Sequence, residues 1–242
     1  SSASGARRRP AAVSHRLDRA VWNALTTRLS AFTTPDSNAH AVRIDPEVGV
    51  FLACADGAPD SVAALGALAR AHPGAGLIEV EGSPVADILP DGVAVAGRIP
   101  LVQMTAQALT AGDRTVDYEV LIEADAPAML ALATLTRPGP FRSATRKLGP
   151  FIGVKQDGEL IAMAGRRLRV DGFTELSGVC THPDHRGKGL AAALSRAVAA
   201  EILAGGETVF LHAFADHDAT IAFYRTLGFE VRGRMTYTVL TD

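Results

Sequence analysis

Apolar positions at Val21, Trp22, Leu25 and Leu29 fall on one helical face and predict a first helix over residues 17–29. A polar loop, 33–38, follows. Apolar runs at 50–54 and 77–80 predict strands, and between them Val62, Leu65, Leu68 and Ala69 mark one face of a helix over 61–72. Residues 93–96 and 99–104 predict two further strands. No glycine-rich loop stands beside a charged cluster in this half. The polar run Ala111-Gly112-Asp113-Arg114 predicts a boundary, giving an N-terminal α/β domain over 16–112 and a second domain over 113–242.

Beyond that break, residues 116–122 predict a strand and 127–136 a helix. Residues 151–155 and 159–170 flank Gln156-Asp157-Gly158, and Asp-Gly between apolar runs is a strong hairpin signal. A third antiparallel strand is expected over 174–181. A helix over 189–204 carries Leu190, Leu194, Ala197, Val198 and Ile202 on its apolar stripe and stops at Gly205-Gly206. A strand over 208–213, a helix over 218–227 and strands at 230–232 and 235–240 complete the chain.

Composition narrows the classes. Apolar residues make up 48% of the 242, charged residues 21%, and the net charge is −2. That is ample material for a packed core, with neither the basic face of a nucleic-acid binder nor an apolar run long enough for a membrane span. Cys54 and Cys180 lie far apart in apolar runs and are expected to be buried free thiols. The histidines show no metal-ligand spacing, so no metal is expected. Residues 1–15 are small, polar and basic, with no apolar signal core after them; they are expected to be a disordered lead-in, and the protein to be cytoplasmic.

The candidate chemistry sits in Thr181-His182-Pro183-Asp184-His185-Arg186-Gly187-Lys188-Gly189-Leu190, between a strand and a helix. A helix N-terminus offers unpaired N–H groups and a positive dipole end, and glycines let an anion reach the main chain. Arg186 and Lys188 add charge at the same place. A P-loop is excluded because Gly189, not Ser or Thr, follows Lys188. Gly187, Gly189 and Ala192 match a dinucleotide fingerprint, but five residues separate the first glycine from the strand and too little chain follows. The pattern R-x-x-G-x-A is met by Arg186, Gly189 and Ala191, after Val179, Thr181 and Pro183. A second run, from His212 to Phe229, carries Ala215, Ile221, Tyr224, Gly228 and Phe229 in the order A-x-N-x-x-A-I-x-x-Y-x-x-x-G-F, with His217 in place of the asparagine.

With these two motifs, residues 116–240 resemble the GNAT superfamily of N-acetyltransferases, close to its glycine-N-acyltransferase-like and uncharacterised bacterial members. The resemblance implies an α/β (α+β) fold, a mixed and mostly antiparallel sheet flanked by helices. The N-terminal half, also mixed α/β, leaves open a degenerate second copy that shapes the acceptor cleft or a dimer surface. The resemblance further implies acetyl-CoA as cosubstrate. Val179, Cys180 and Thr181 would meet its pantetheine arm and thioester on a strand that splays from its neighbour. Gly187, Lys188, Gly189, Leu190, Ala191 and Ala192, with Arg186, would hold the diphosphate, and His217 would replace the asparagine that contacts the arm.

Tyr224 matches the tyrosine that protonates the departing thiolate. The proton of the acceptor amine has two candidate takers: Glu175, which shares strand parity with Ser177, Val179 and Thr181, and His212 on the next strand, an imidazole of the kind that ordinarily titrates near neutrality. No base stands beside Cys180 in sequence, which weighs against a covalent acyl-enzyme. His182 and His185 are expected on an exposed loop. Arg137, Arg142 and Arg146 are candidates to attract an acceptor's carboxylate. The expected activity is transfer of an acetyl group to a primary amine of a small molecule or peptide, by direct attack in a ternary complex. A non-catalytic acyl-CoA-binding sensor is the rival.

Overall fold

The structure is a computed structural model that describes residues 15–112 and 114–241. Residues 1–14, most of the expected lead-in, lie outside it. A 3-10 turn, Arg16–Arg19, leads into helix α1 (Ala20–Leu25), shorter than the 17–29 expected from its apolar stripe. Thr26 and Thr27 end it by turning their hydroxyls onto the carbonyls of Trp22 and Asn23, the local competition that makes threonine a poor helix interior. Strands β1 (Ala41–Arg43) and β2 (Leu52–Cys54) form a two-stranded antiparallel ribbon, of which the sequence pattern predicts only β2. Helix α2 (Pro59–Ala71) starts on a proline, whose fixed φ suits a first turn.

Strand β3 (Gly76–Val80) is followed by β4 (Ala94–Ala106), one long strand in place of the two expected. Then come β5 (Glu119–Val120), helix α3 (Ala126–Thr136), β6 (Phe151–Gln156), β7 (Glu159–Val170), β8 (Phe173–Thr181), helix α4 (Leu190–Ala204), β9 (Thr208–Phe214), helix α5 (Asp218–Thr226) and β10 (Glu230–Thr241). Eight of the strands form a single sheet in the order β3-β10-β4-β9-β8-β7-β6-β5. Every neighbouring pair is antiparallel except β8 and β9, which run parallel. This is the mixed, mostly antiparallel α/β sheet that the motifs imply.

Side chains alternate across the sheet and bury two faces. Val102, Met104, Val209 and Leu211 pack with Leu194, Val198 and Ile202 of α4 and Ile221 of α5. On the opposite face Leu101, Phe210 and Met235 pack with Leu17, Val21 and Leu25. Helix α3 covers Phe151, Met163 and Cys180 with Met129 and Leu132. Both cysteines are free and buried, in keeping with their apolar surroundings in the sequence.

The polar break at 111–114 does not divide the sheet. β3 and β4 precede it and β5 to β10 follow it, yet β4 lies hydrogen-bonded between β9 and β10. The first half therefore builds the small ribbon and otherwise completes the sheet of the second. β10 has only β3 and β4 as neighbours, so a fragment beginning at residue 113 is expected to show no cooperative unfolding transition by circular dichroism. A fragment that melts cooperatively would contradict this account of the sheet.

Candidate active site

The parallel pair β8–β9 stays together for three residues and then separates. Phe173, Thr174 and Glu175 face Thr208, Val209 and Phe210. Past that point Leu176–Thr181 pairs only with β7, and Leu211–Phe214 only with β4. Gly178 sits in the separated section with φ +66, beside an irregularity in the β7–β8 register, and a Cβ there would lie 2.7 Å from Cε1 of Phe151. A glycine bulge of this kind shifts strand parity. Leu176 and Val179 consequently pack in one cluster, while Cys180 joins Phe151 and Met163. The expected shared parity of Glu175 with Val179 and Thr181 does not survive the bulge.

On the helix side of the opening is a cleft of about 520 Å³, lined by Val179, Cys180, Thr181, Arg186, Gly187, Gly189, Leu190, Ala191, Ala192 and Tyr224, among others. Gly187 and Gly189 have φ +75 and +76, left-handed backbone that glycine adopts freely. The first backbone hydrogen bond within α4 runs from Ala193 N–H to the Gly189 carbonyl at 3.1 Å, so the amides of the turn before it open onto the cleft. Thr181 Oγ1 is buried at the cleft without a hydrogen-bond partner among the described residues. An unsatisfied buried hydroxyl and a glycine cradle with spare amides suit a ligand that brings acceptors, as a phosphorylated pantetheine does.

A second cleft, about 720 Å³, opens on the other side. Thr136, Pro138, Val179, Arg186, Thr220 and Tyr224 line both, so the two join at Val179 and Tyr224. Phe51, Ile78, Ile99, Leu101 and Tyr237 supply its apolar wall, all from elements outside the two motifs. Glu175 and His212 lie at its base. Arg167 donates to Glu175 through Nε at 2.9 Å and Nη2 at 2.7 Å, the Leu168 amide donates at 3.1 Å, and His212 Nδ1 donates at 2.8 Å. Burial pushes the Glu175 carboxyl up, but the Arg167 charge and the hydrogen bonds from Arg167 and His212 outweigh it and hold the group well below the usual carboxylate range.

The same chain of bonds fixes the His212 ring. Arg232 Nε donates to Gln103 Oε1 at 2.5 Å, which makes the Gln103 amide nitrogen the donor to the Leu17 carbonyl and to His212 Nε2, each at 3.0 Å. His212 is thereby the Nδ1–H tautomer, with both ring nitrogens engaged. Polar side chains from β10, β4, β9, β8 and β7 run in spatial order beneath the second cleft, ending on Asp18 through Arg232 at 2.7 Å.

The FR47-like protein family matches residues 151–239. A solved structure from Novosphingobium aromaticivorans, assigned to the GNAT family of acetyltransferases, is 40% identical over 95% of this chain and 99% of its own, with a TM-score of 0.84. The chain belongs to the GNAT family. A GCN5-related N-acetyltransferase from Kribbella flavida (19% identity, 92% of this chain and 95% of its own, TM-score 0.66) and a GNAT acetyltransferase from Colwellia psychrerythraea (13%, 94% and 97%, 0.54) share the fold. No curated protein matches the chain.

Within this GNAT fold the motif residues converge, with exceptions. Lys188 does not line the first cleft; its Nζ lies 3.2 Å from His185 Nδ1, and His185, expected on an exposed loop, lines that cleft instead. His217 stands at the N-cap position of α5 without a side-chain cap bond and lines the second cleft rather than the first, its ring edge-on to Phe214 at 5.0 Å. Tyr224 packs between Phe223 and Phe229, and burial, with Cys180 nearby, raises its hydroxyl above the ordinary phenol value. The Cys180 thiol is pushed up to about 11 by burial, so it is no thiolate nucleophile at neutral pH. Of the three candidate arginines, Arg137 lines the second cleft and Arg146 is paired with Glu123. Among the described residues no helix is long and apolar enough to cross a membrane, and no metal-binding cluster occurs.

Sequence reasoning misses Arg167 and Gln103, whose positions relative to Glu175 and His212 depend on strand order rather than on any local pattern. Because Glu175 is held below its unfolded value, its contribution to stability is present above about pH 4.3 and is lost as pH falls through the folded-state value. Glu175→Gln would strand the Arg167 charge, destabilising the fold by about 3–5 kcal/mol in chemical denaturation and flattening the acid limb of stability against pH. Wild-type stability in the Gln variant would refute the pairing.

Proposed function

We propose that this GNAT protein is an acetyl-CoA-dependent N-acetyltransferase that moves the acetyl group to a primary amine by direct attack in a ternary complex. The observation that carries this is the junction of the two clefts where β8 leaves β9, with Tyr224 on both. In this reading the glycine cradle, Arg186 and the α4 amides hold the coenzyme's phosphates, while Val179, Cys180 and Thr181 border its arm. Main-chain groups released where the strands separate polarise the thioester carbonyl, as preorganised donors do at a developing oxyanion. The amine, entering through the second cleft, attacks the carbonyl carbon. The carbon–sulfur bond breaks, and Tyr224 gives its proton to the departing thiolate; its raised hydroxyl keeps that proton in the resting enzyme.

The acceptor's proton goes elsewhere than to the two groups expected from sequence. Glu175 is an ion-paired carboxylate too weakly basic for the task, and both nitrogens of His212 are spoken for. The imidazole in the second cleft whose nitrogens hold no hydrogen bond among the described residues is His217, and we assign it the proton. His217, at the N-cap of α5, and Thr220 and Tyr224 within it all line the second cleft, which brings acid and base to one cleft. Glu175 and His212 then act as the rigid floor of the acceptor cleft.

A panel of amines (amino acids, polyamines and peptide N-termini) assayed for thiol release from acetyl-CoA tests the activity. At least one class is expected to turn over; acetyl-CoA binding with no turnover on any class would favour a non-catalytic sensor. On the best acceptor, Tyr224→Phe is expected to lower kcat by about 10²–10⁴ with the acetyl-CoA Kd unchanged. His217→Asn is expected to lower kcat/KM by a similar factor. An unchanged kcat/KM would send the proton directly to water.

A further inference from the structure

We infer that Arg114 is a phosphate-binding residue for the acetyl-CoA proposed above, an inference that rests on that reading. Arg114 belongs to the segment between β4 and β5, outside the stretch that matches the FR47-like family. That segment is tied down across the helices. The Thr110 amide donates to the Leu227 carbonyl at 3.0 Å just past α5, Arg196 of α4 donates through Nη1 to the Thr110 carbonyl, and Gly112 lies against the Arg196 guanidinium. The strap delivers Arg114 to the start of α4, where its side chain covers Gly189 so closely that a Cβ on that glycine would collide with it. Arg114 lines the same cleft as Arg186, Gly187 and the first residues of α4.

Electrostatics give the placement its meaning. The N-terminus of α4 carries the positive end of a 15-residue helix, and Arg186 adds a full charge beside it. Arg114 is exposed beside this like charge, and among the described residues it has neither an ion pair nor a hydrogen bond that would account for its position. The arrangement becomes favourable when an anion enters between them. A guanidinium binds a phosphate through two parallel N–H donors, a geometry that lysine does not reproduce. The buried, unpartnered Thr181 hydroxyl in the same cleft points to the same occupant. Arg114, the last residue of the polar break that reads as a linker in the sequence, is thus part of the outer wall of that cleft.

Calorimetric titration of acetyl-CoA into the wild-type chain, Arg114→Ala and Arg114→Lys tests this at low and high salt. Arg114→Ala is expected to weaken binding about tenfold, equivalent to about 1.4 kcal/mol, with the same thermal midpoint and a shallower fall of affinity with salt. Arg114→Lys is expected to recover some of the loss. Equal affinity and salt dependence in wild type and Arg114→Ala would overturn the assignment. So would a loss in Arg114→Ala that comes with a lowered melting temperature and that lysine does not partially recover, since that marks a structural role. A wild type that binds no acetyl-CoA would refute the proposed function itself, and this assignment with it.

Discussion

The site exists because two parallel strands stop pairing. Main-chain amides and carbonyls ordinarily find partners in a sheet, and leaving a run of them open in the interior is unfavourable unless something else satisfies them. Here the pairing of β8 with β9 ends at Glu175 and Phe210, and the strands separate into the gap that both clefts share. The apex is fixed by side chains rather than by backbone. Glu175 at the last paired position of β8 binds Arg167 of β7 and His212 of β9, so one buried carboxylate ties together the strands on either side of the opening. A buried pair of this sort adds little net stability over an apolar core, but it specifies geometry, because any other arrangement would leave a charge unpaired. The gap can be wide without being loose.

That apex also explains why β4 belongs where it is. His212 accepts from Gln103, and Gln103 is held by Arg232, so the polar row continues through β4 into β10. A strand from the first half of the chain is thereby a structural neighbour of the site, and the α1 side of the molecule closes the row at Asp18 and the Leu17 carbonyl. The two halves are coupled by hydrogen bonds at the point where the chemistry is placed, in addition to the apolar packing of Leu17, Val21 and Leu25 against Phe210.

Much of this is legible in the sequence, and the division is physical. The hairpin at Asp157-Gly158, the α4 stripe and the glycine loop depend on local periodicity and backbone freedom, which neighbouring residues encode. Simple alternation along β8 fails because Gly178 is no ordinary strand residue, and a glycine inside a strand pattern is itself a bulge signal. Glu175 and His212 have the look of candidate bases because each is a titratable group on the right strand. Their commitment to Arg167 and Gln103 is non-local, set by a strand order that places residue 103 beside residue 212. The break at 111–114 has the look of a boundary because polarity and glycine mark any solvent-facing crossing, whether or not it divides domains.

On the proposed function one cleft takes the cofactor and the other the acceptor, and the two differ in how they are specified. The cofactor side is built largely from one continuous stretch, 179–192, with Arg114, Thr136 and Pro138 and with Thr220, Phe223 and Tyr224 of α5 added. Substitution there meets left-handed glycines and a packed helix start, and few side chains are tolerated. The acceptor side takes Phe51, Ile78, Ile99, Leu101 and Tyr237 from elements scattered over the chain, each contributing one side chain to a wall. Changing Ile78, Ile99 or Leu101 alters the shape or polarity of the wall without replacing a residue of the glycine cradle, whereas Phe51 stacks under the Arg167 guanidinium at 4.9 Å and so also supports the apex. Under the proposed function, a chain organised in this way would hold a thioester by backbone and select an amine by side chain, so the second selection could drift while the first stayed fixed.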